Sequence, residues 1–351
     1  MNIYIFNVKR GKTMKKLLIK IMSFMLCAVM LALSLVSCAA GRPIKSSAQD
    51  LEVVGKIGGF DVLYEELRYV TMFYKQQLED KYGKGIWDNA ATAQKYSDEL
   101  YELVTRNITA NYAVLSLCAE VGITTDAKEI QESVTNYINE MADQLGGRGE
   151  YKKQLAAENA TDHFLRFTIA VDYCQNELYY SYTQDLGLIE TDFEKVYDYI
   201  MADNFVRTIH VYIQNDKGDD IEKNRAAAEN VVEQIKNGED IKKMIGSSVN
   251  EDFDLTTTNG YYFGRGEMLQ AYEDAAFALD VNEVSGVVET PTGFYVIQRL
   301  PLESAYVMQN LTTLMDQYQY SELNKYIDER QAQLNIEFND YGKSLDLTAI
   351  N

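Results

Sequence analysis

Apolar residues between positions 51 and 204 recur at the three- and four-residue spacing that is typical of amphipathic helices. The beginning of this region differs, because Glu52–Val62 indicates a short strand, a glycine turn and a second short extended segment. We therefore predict a mostly α-helical domain over residues 51–204 with a strand-turn-strand opening. Its helices are expected near residues 64–81, 91–120, 126–141, 150–158, 161–184 and 190–203.

After residue 204 the pattern changes to short strands that alternate with helices. The predicted order over residues 205–302 is β-α-α-β-α-β-β, which indicates an α+β domain. A long amphipathic helix is then predicted over Tyr306–Leu334, before the short segment Asn335–Phe338. In the α+β domain, strands are expected at 205–213, 260–263, 284–289 and 294–300, and helices at 219–237, 240–245 and 270–279.

The first 37 residues have the pattern of a secretory signal peptide. They contain six basic residues and no acid, and an apolar run from Ile21 to Val36 ends in Leu-Val-Ser-Cys at residues 35–38. A cysteine after Leu-x-Ser resembles the bacterial lipobox, so Cys38 is the predicted lipidation site. Residues 38–50 are small and polar, and we predict that they tether the folded part to the extracytoplasmic face of the cell membrane.

Two alternatives concern this N-terminal segment. A transmembrane anchor is disfavoured, because the apolar run is shorter than the roughly 20 residues that a helix needs to span a bilayer. The start of translation stays open between Met1 and Met14, and Met14 begins the more ordinary signal peptide.

The charge of the chain argues against one class of partner. The sequence holds 33 basic and 53 acidic residues, and removal of residues 1–37 leaves 27 bases and a formal net charge of −26. Such a field repels phosphate backbones, so nucleic acid is not an expected partner. Cationic or neutral unfolded chains are the expected clients.

The cysteines and histidines indicate neither a metal site nor a cofactor. Cys118 and Cys174 lie in apolar helical segments, with no Cys-x-x-Cys motif and no neighbouring histidine. This context favours buried free thiols, and the spacing alone leaves a disulfide between them open. We therefore predict that the protein uses no cofactor and no metal ion.

The last third of the chain carries several motifs in a fixed order. They are Arg-Thr-Ile-His-Val at 207–211, Gly-Arg-Gly-Glu-Met at 264–268, Tyr-Glu-Asp-Ala-Ala-Phe-Ala-Leu at 272–279, Glu-Val-Ser at 283–285 and Thr-Pro-Thr-Gly-Phe-Tyr-Val-Ile at 290–297. This set resembles the parvulin family of peptidyl-prolyl isomerases over residues 205–302. The resemblance implies a four-stranded antiparallel sheet with surrounding helices, inserted in the helical chaperone-like domain. Residues 303–351 would supply a C-terminal helix that packs back on the N-terminal domain.

The resemblance also implies a set of catalytic positions. His210 corresponds to the family's first histidine, and Tyr295 stands where the family usually has its second. Thr290 and Thr292 keep the family's hydroxyl positions, and Asn250 or Asp252 lies nearest to its catalytic cysteine or aspartate. Because tyrosine cannot exchange tautomers as imidazole does, the resemblance predicts weak turnover.

A second group of residues is implied to bind the proline ring of the substrate. Met268 and Tyr272 would line the apolar slot, with Phe263 and Phe277 behind them. Tyr272 replaces the family's usual phenylalanine, so its hydroxyl group must reach water or a polar partner.

Two functions are therefore expected from the sequence. The first is a membrane-anchored isomerase that assists the folding of exported proteins with X–Pro bonds. The second is a non-catalytic holdase chaperone with a degenerate parvulin domain. A solute-binding lipoprotein is a distant third, because the chain lacks two similar α/β lobes.

Overall fold

The computed structural model describes residues 47–215, 220–245 and 259–350. Within these ranges the chain folds as two compact units, of which the second is Tyr179–Tyr326 and the first contains the residues on either side of it. The predicted signal peptide, Cys38, Asn250 and Asp252 lie outside the described residues. The domain boundaries drawn from the sequence stay a prediction.

The first unit opens with the predicted strand-turn-strand motif. Gly58 and Gly59 form the turn, and both have positive φ angles, of 56° and 90°. A third strand from the C-terminal end of the chain completes the sheet, because Gly55 pairs with Phe338. A Cβ atom at position 55 would lie 2.7 Å from the carbonyl oxygen of Glu337, which explains the glycine there. The strand order is β2-β1-β7, with β1 at Val53–Ile57, β2 at Phe60–Leu63 and β7 at Glu337–Phe338.

Helices make up the rest of the first unit, as their apolar periodicity predicts. Leu67, Leu100 and Ile138 are among the fully buried side chains of its core. Cys118 and Cys174 are both buried free thiols, and the sulfur of Cys118 lies 3.4 Å from the carbonyl oxygen of Cys174. The helices are α1 (Tyr64–Tyr82), α2 (Ala90–Glu120), α3 (Lys128–Gln144), α4 (Arg148–Ala157), α5 (Asp162–Tyr180), the C-terminal α11 (Asp340–Ser344) and the short 3₁₀ segments Lys84–Trp87 and Leu347–Ala349.

The second unit contains a four-stranded antiparallel sheet with helices around it, which confirms the predicted fold class. Its strand order is β4-β3-β6-β5, so β3 and β6 are central. The strands are β3 (Phe205–Gln214), β4 (Tyr261–Gly264), β5 (Val288–Thr290) and β6 (Gly293–Leu300). The helices are α6 (Phe193–Tyr199), α7 (Ile221–Lys236), α8 (Gln270–Ala278), α9 (Ser304–Gln309) and α10 (Leu311–Gln331), with π segments at Ser181–Asp185 and Ile200–Asn204 and a 3₁₀ turn at Ile241–Lys243.

Alternation along β3 assigns its side chains to two different cores. Ile209 and Val211 pack with Ala228 of α7 in one apolar cluster. Val206, on the other face, packs with Tyr272 of α8 in a second cluster. The even-numbered face of β3 therefore points toward the motifs that the sequence singled out.

Two predicted elements are wrong in their extent. The single helix over 306–334 is instead α9 and α10, separated at Asn310, whose backbone leaves the helical region at a φ of −109° and a ψ of 13°. The strand predicted over 284–289 is reduced to β5 and an isolated bridge between Val284 and Gln298, because the hydroxyl of Ser285, in place of a backbone carbonyl, accepts the N–H of Ile297. In the described ranges, no helix has both the length and the apolar character that a membrane span requires.

Candidate active site

Strand β3 places a polar row on the face that looks toward α8. Thr208, His210 and Tyr212 occupy alternate positions, so their side chains share that face. Thr208 and His210 are buried, at 0% and 3% exposure. Burial of two polar side chains in a sheet requires hydrogen-bond partners close by.

Tyr272 supplies a partner for both of these side chains. Its ring is 1% exposed, and its hydroxyl oxygen lies 2.8 Å from Oγ1 of Thr208 and 2.8 Å from Nδ1 of His210. The sequence predicted that this hydroxyl must find a partner, and the imidazole is one. The hydroxyl of Tyr272 thereby holds the His210 ring in one orientation.

Tyr295 packs against the same imidazole from the neighbouring strand. The register pairs Tyr295 of β6 with Tyr212 of β3, and their rings stack at 4.3 Å. The ring of Tyr295 meets that of His210 edge to face, with centroids 5.0 Å apart. Tyr295 thus lies beside His210, in contact through its ring.

The turn between β5 and β6 fixes this register. Gly293 has a φ of 153°, and a Cβ atom there would lie 2.2 Å from the carbonyl oxygen of Ile213. Only glycine therefore allows the close backbone approach that begins β6. Because Tyr295 follows two residues later, the glycine sets the position of the aromatic ring next to the imidazole.

Tyr261 stacks on the imidazole of His210. Its ring is nearly parallel to that of His210, with an interplanar angle of 11° and a centroid distance of 5.5 Å. Tyr272 meets the same imidazole edge to face at 5.3 Å. His210 consequently lies in an aromatic cage that limits its rotation and its access to water.

An apolar cluster adjoins this cage. Phe263 is 2% exposed and packs with Tyr272, while Met268 and Phe277 are partly exposed at the edge of the cluster. The rings of Phe263 and Phe277 meet edge to face with centroids 6.1 Å apart. The structure therefore brings together all four residues that the sequence assigned to the proline slot.

Two carboxylates shape the loop that carries Met268. Glu267 accepts the N–H of Gly264 at 2.7 Å, and Glu273 accepts the N–H of Gly266 at 2.7 Å. Burial raises the pKa of Glu267 to about 7, against the opposing effect of the Gly264 N–H. These two glutamates were not predicted from the sequence, although their position next to the Gly-Arg-Gly motif could have indicated that they hold this loop.

The predicted threonines are not joined to this network. Thr290 donates to the carbonyl oxygen of Gly293 at 2.9 Å, and its hydroxyl lies 3.2 Å from that of Thr292. In the part of the chain that the structure describes, neither hydroxyl is hydrogen-bonded to His210. The two threonines stabilise the β5–β6 turn, and a catalytic role for them stays a prediction.

Three aromatic or hydroxyl side chains of the site were missed from the sequence. These are Thr208, Tyr212 and Tyr261. The signal for Thr208 and Tyr212 was present, since both alternate with His210 along β3. No local pattern connects Tyr261 to His210, because their contact depends on the pairing of β4 with β3.

The comparisons with known proteins agree with this geometry. Residues 194–300 match the family described as the PPIC-type PPIase domain. This match, together with the curated relatives below, confirms the predicted resemblance to parvulin-type PPIase foldases of bacteria.

The chain is similar to foldase protein PrsA of Caldanaerobacter subterraneus, with 24% identity over 283 residues, 78% of this chain and 80% of the relative. It is also similar to peptidyl-prolyl cis-trans isomerase pin1 of Schizosaccharomyces pombe, with 65% identity over 37 residues, 10% of this chain and 21% of the relative. Among solved structures, foldase protein PrsA of Streptococcus pneumoniae matches with a TM-score of 0.35 and 16% identity, over 85% of this chain and 99% of the other.

Proposed function

We propose that the chain is a peptidyl-prolyl cis-trans isomerase, anchored to the extracytoplasmic face of the cell membrane, that assists the folding of exported proteins. The observation that carries the proposal is the bonded row Thr208, Tyr272 and His210 beside the apolar cluster of Met268. Catalysis of X–Pro isomerisation requires an apolar surface for the proline ring and polar groups beside the amide.

The reaction breaks no covalent bond. The X–Pro amide must twist out of its plane against a barrier of roughly 18–20 kcal/mol. In our proposal Met268 and Phe277 hold the pyrrolidine ring at the partly exposed edge of the cluster, which lowers the hydration of the amide. His210, held by Tyr272, orients the polar side of the site so that it favours the twisted amide over both planar forms.

Isomerase activity of the full-length chain in detergent tests the proposal. We expect weak turnover of an Ala-Pro or Glu-Pro peptide, and an increase of about three- to ten-fold for Tyr295→His, because an imidazole would again flank His210 in a supporting role. Tyr197→His, which makes the same tyrosine-to-histidine substitution elsewhere in the second unit, is the control. Wild-type protein as fast as a two-histidine parvulin, with Tyr295→His neutral or harmful, would contradict the expectation.

The anchor has its own test. Cys38→Ser should release the protein from the membrane fraction and block normal processing of the signal, since a thioether-linked lipid can form only on the cysteine. Fractionation of cells that produce each form measures this. Full membrane retention and normal processing of the variant would show that Cys38 is not the anchor.

The second candidate is a holdase without turnover. Tyr295, in the place of the family's second histidine, is the observation that favours it. A wild-type chain that suppresses aggregation of an unfolded protein, but leaves X–Pro isomerisation at the uncatalysed rate, would establish the holdase over the enzyme.

A further inference from the structure

The helical unit contains a partly open cavity that the isomerase site does not explain. Its volume is about 210 Å³, below the roughly 300–1,000 Å³ of small-molecule pockets and of a size for one side chain. The aromatic residues of the lining are Tyr69, Phe73 and Phe164, and the first and last of these rings are 4.8 Å apart.

Three carboxyl groups line the same cavity. They belong to Glu66 of α1, Glu158 after α4 and Asp172 of α5, and the lining contains no lysine, arginine or histidine among the described residues. Burial raises the pKa of Glu66 and that of Asp172 to about 7, and it also raises the pKa of Glu158. Desolvation thus disfavours the charged form of all three acids.

The acids differ in how well their oxygens are satisfied. Glu66 has structural partners, because Tyr112 donates to its carboxylate at 2.9 Å and the N–H of Leu63 does so at 3.0 Å. Glu158 uses Oε1 to accept from Gln154, but its buried Oε2 has no hydrogen-bond partner within the described residues. Asp172 is partly buried and accepts no hydrogen bond from the described residues. The carboxyl groups of Glu158 and Asp172 are therefore available to bind a polar group that enters the cavity.

Carboxylates and aromatic faces together select a cation with an apolar stem. An ammonium or guanidinium group gains from aromatic faces within about 6 Å of the ring centre and from unpaired carboxylates. The methylene stem of lysine or arginine buries well along apolar walls. The strongly acidic mature chain adds a long-range attraction for cationic segments.

We infer that this cavity, lined by Tyr69, Phe73, Phe164, Glu158 and Asp172, binds a lysine or arginine side chain of an unfolded client segment. The inference rests on the proposed foldase function and specifies which client side chains the protein prefers. It locates a client contact in the helical unit, separate in sequence from the parvulin-type domain.

Proline-free peptides provide the test, because they cannot report on the isomerase site. One unstructured host peptide carries lysine, arginine, norleucine or glutamate at its central position, and fluorescence anisotropy measures its binding to the full-length chain in detergent. We expect the lysine and arginine peptides to bind at least ten-fold more tightly than the norleucine peptide, and the glutamate peptide to bind most weakly.

A matched pair of double variants separates the cavity from the general charge of the chain. Glu158→Gln with Asp172→Asn should reduce the preference for lysine over norleucine to less than three-fold. Glu129→Gln with Asp143→Asn removes the same charges from exposed positions of the same unit and should keep the preference. Phe73→Leu should weaken binding of the cationic peptides more than that of the norleucine peptide.

Equal binding of the lysine and norleucine peptides would overturn the inference, as would an unchanged preference in the cavity variant. Equal loss in the cavity and surface variants would assign the preference to net charge and would also overturn it. Isomerase activity, measured on the same preparations, tests the proposed function separately. Loss of one property with retention of the other shows which of the two proposals fails.

Discussion

Replacing Tyr272 by phenylalanine should lower isomerase activity about 10- to 100-fold, the usual range for loss of a group that orients an active side chain. The hydroxyl of Tyr272 lies within hydrogen-bond distance of two buried groups, Thr208 and Nδ1 of His210. Removal of the hydroxyl takes one hydrogen-bond partner from each of these groups, and water cannot readily replace it in a buried site. The result would be notable because phenylalanine is the residue that parvulins usually have there.

The double variant gives this prediction its sharpest control. Tyr272→Phe with Tyr295→His restores the family's usual pair, so it should recover most of the activity that Tyr272→Phe loses. Such strong non-additivity is expected for two side chains that contact the same imidazole. An unchanged activity of Tyr272→Phe, or a double variant no better than the single one, would contradict this coupling.

A structural effect of the substitution can be separated from a positioning effect. Thermal unfolding should change modestly, whereas kcat should fall with little change in KM, because the bond to Nδ1 orients His210 and does not bind the peptide. A loss of activity that only follows a large loss of stability would assign Tyr272 a role in folding alone.

The same residue shows how far the sequence could lead. Side-chain alternation on β3 was readable, and so was the need of the Tyr272 hydroxyl for a partner. The identity of that partner was not readable, because it depends on how α8 packs across β3. The family resemblance identified Tyr295 as the position of the second histidine, and the glycine turn at Gly293 gives its contact with His210 a physical cause.

Other features had no sequence signal of this kind. The break at Asn310 comes from one residue whose backbone leaves the helical region, and no local pattern marks it. The cavity acids Glu66, Glu158 and Asp172 come from distant parts of the chain, and each alone looks like an ordinary polar position on a helical segment. Local patterns predict which faces are buried, whereas packing between helices decides which acids share a cavity.

Asparagine in place of Asp172 should stabilise the helical unit at alkaline pH by on the order of 2 kcal/mol. Burial raises the pKa of Asp172 from 3.8 to about 7, so the folded state binds a proton more tightly than the unfolded state does. The free energy of unfolding of the wild type should therefore fall as pH rises from about 4 to about 7. Asparagine is neutral throughout, so the gain should be absent near pH 4 and complete above pH 7.

Urea unfolding, monitored by the fluorescence of Trp87, measures the stability of the helical unit. Trp87 is the single tryptophan of the chain and lies in the helical unit with Asp172. Asp143→Asn, at an exposed helical position, should leave the stability unchanged at every pH. A gain of Asp172→Asn that is independent of pH, or that is larger at pH 4 than at pH 8, would show that desolvation of this carboxylate is not its cause. If the stabilised variant also loses selectivity for the lysine peptide, then Asp172 reduces the stability of the fold in order to bind a cationic client.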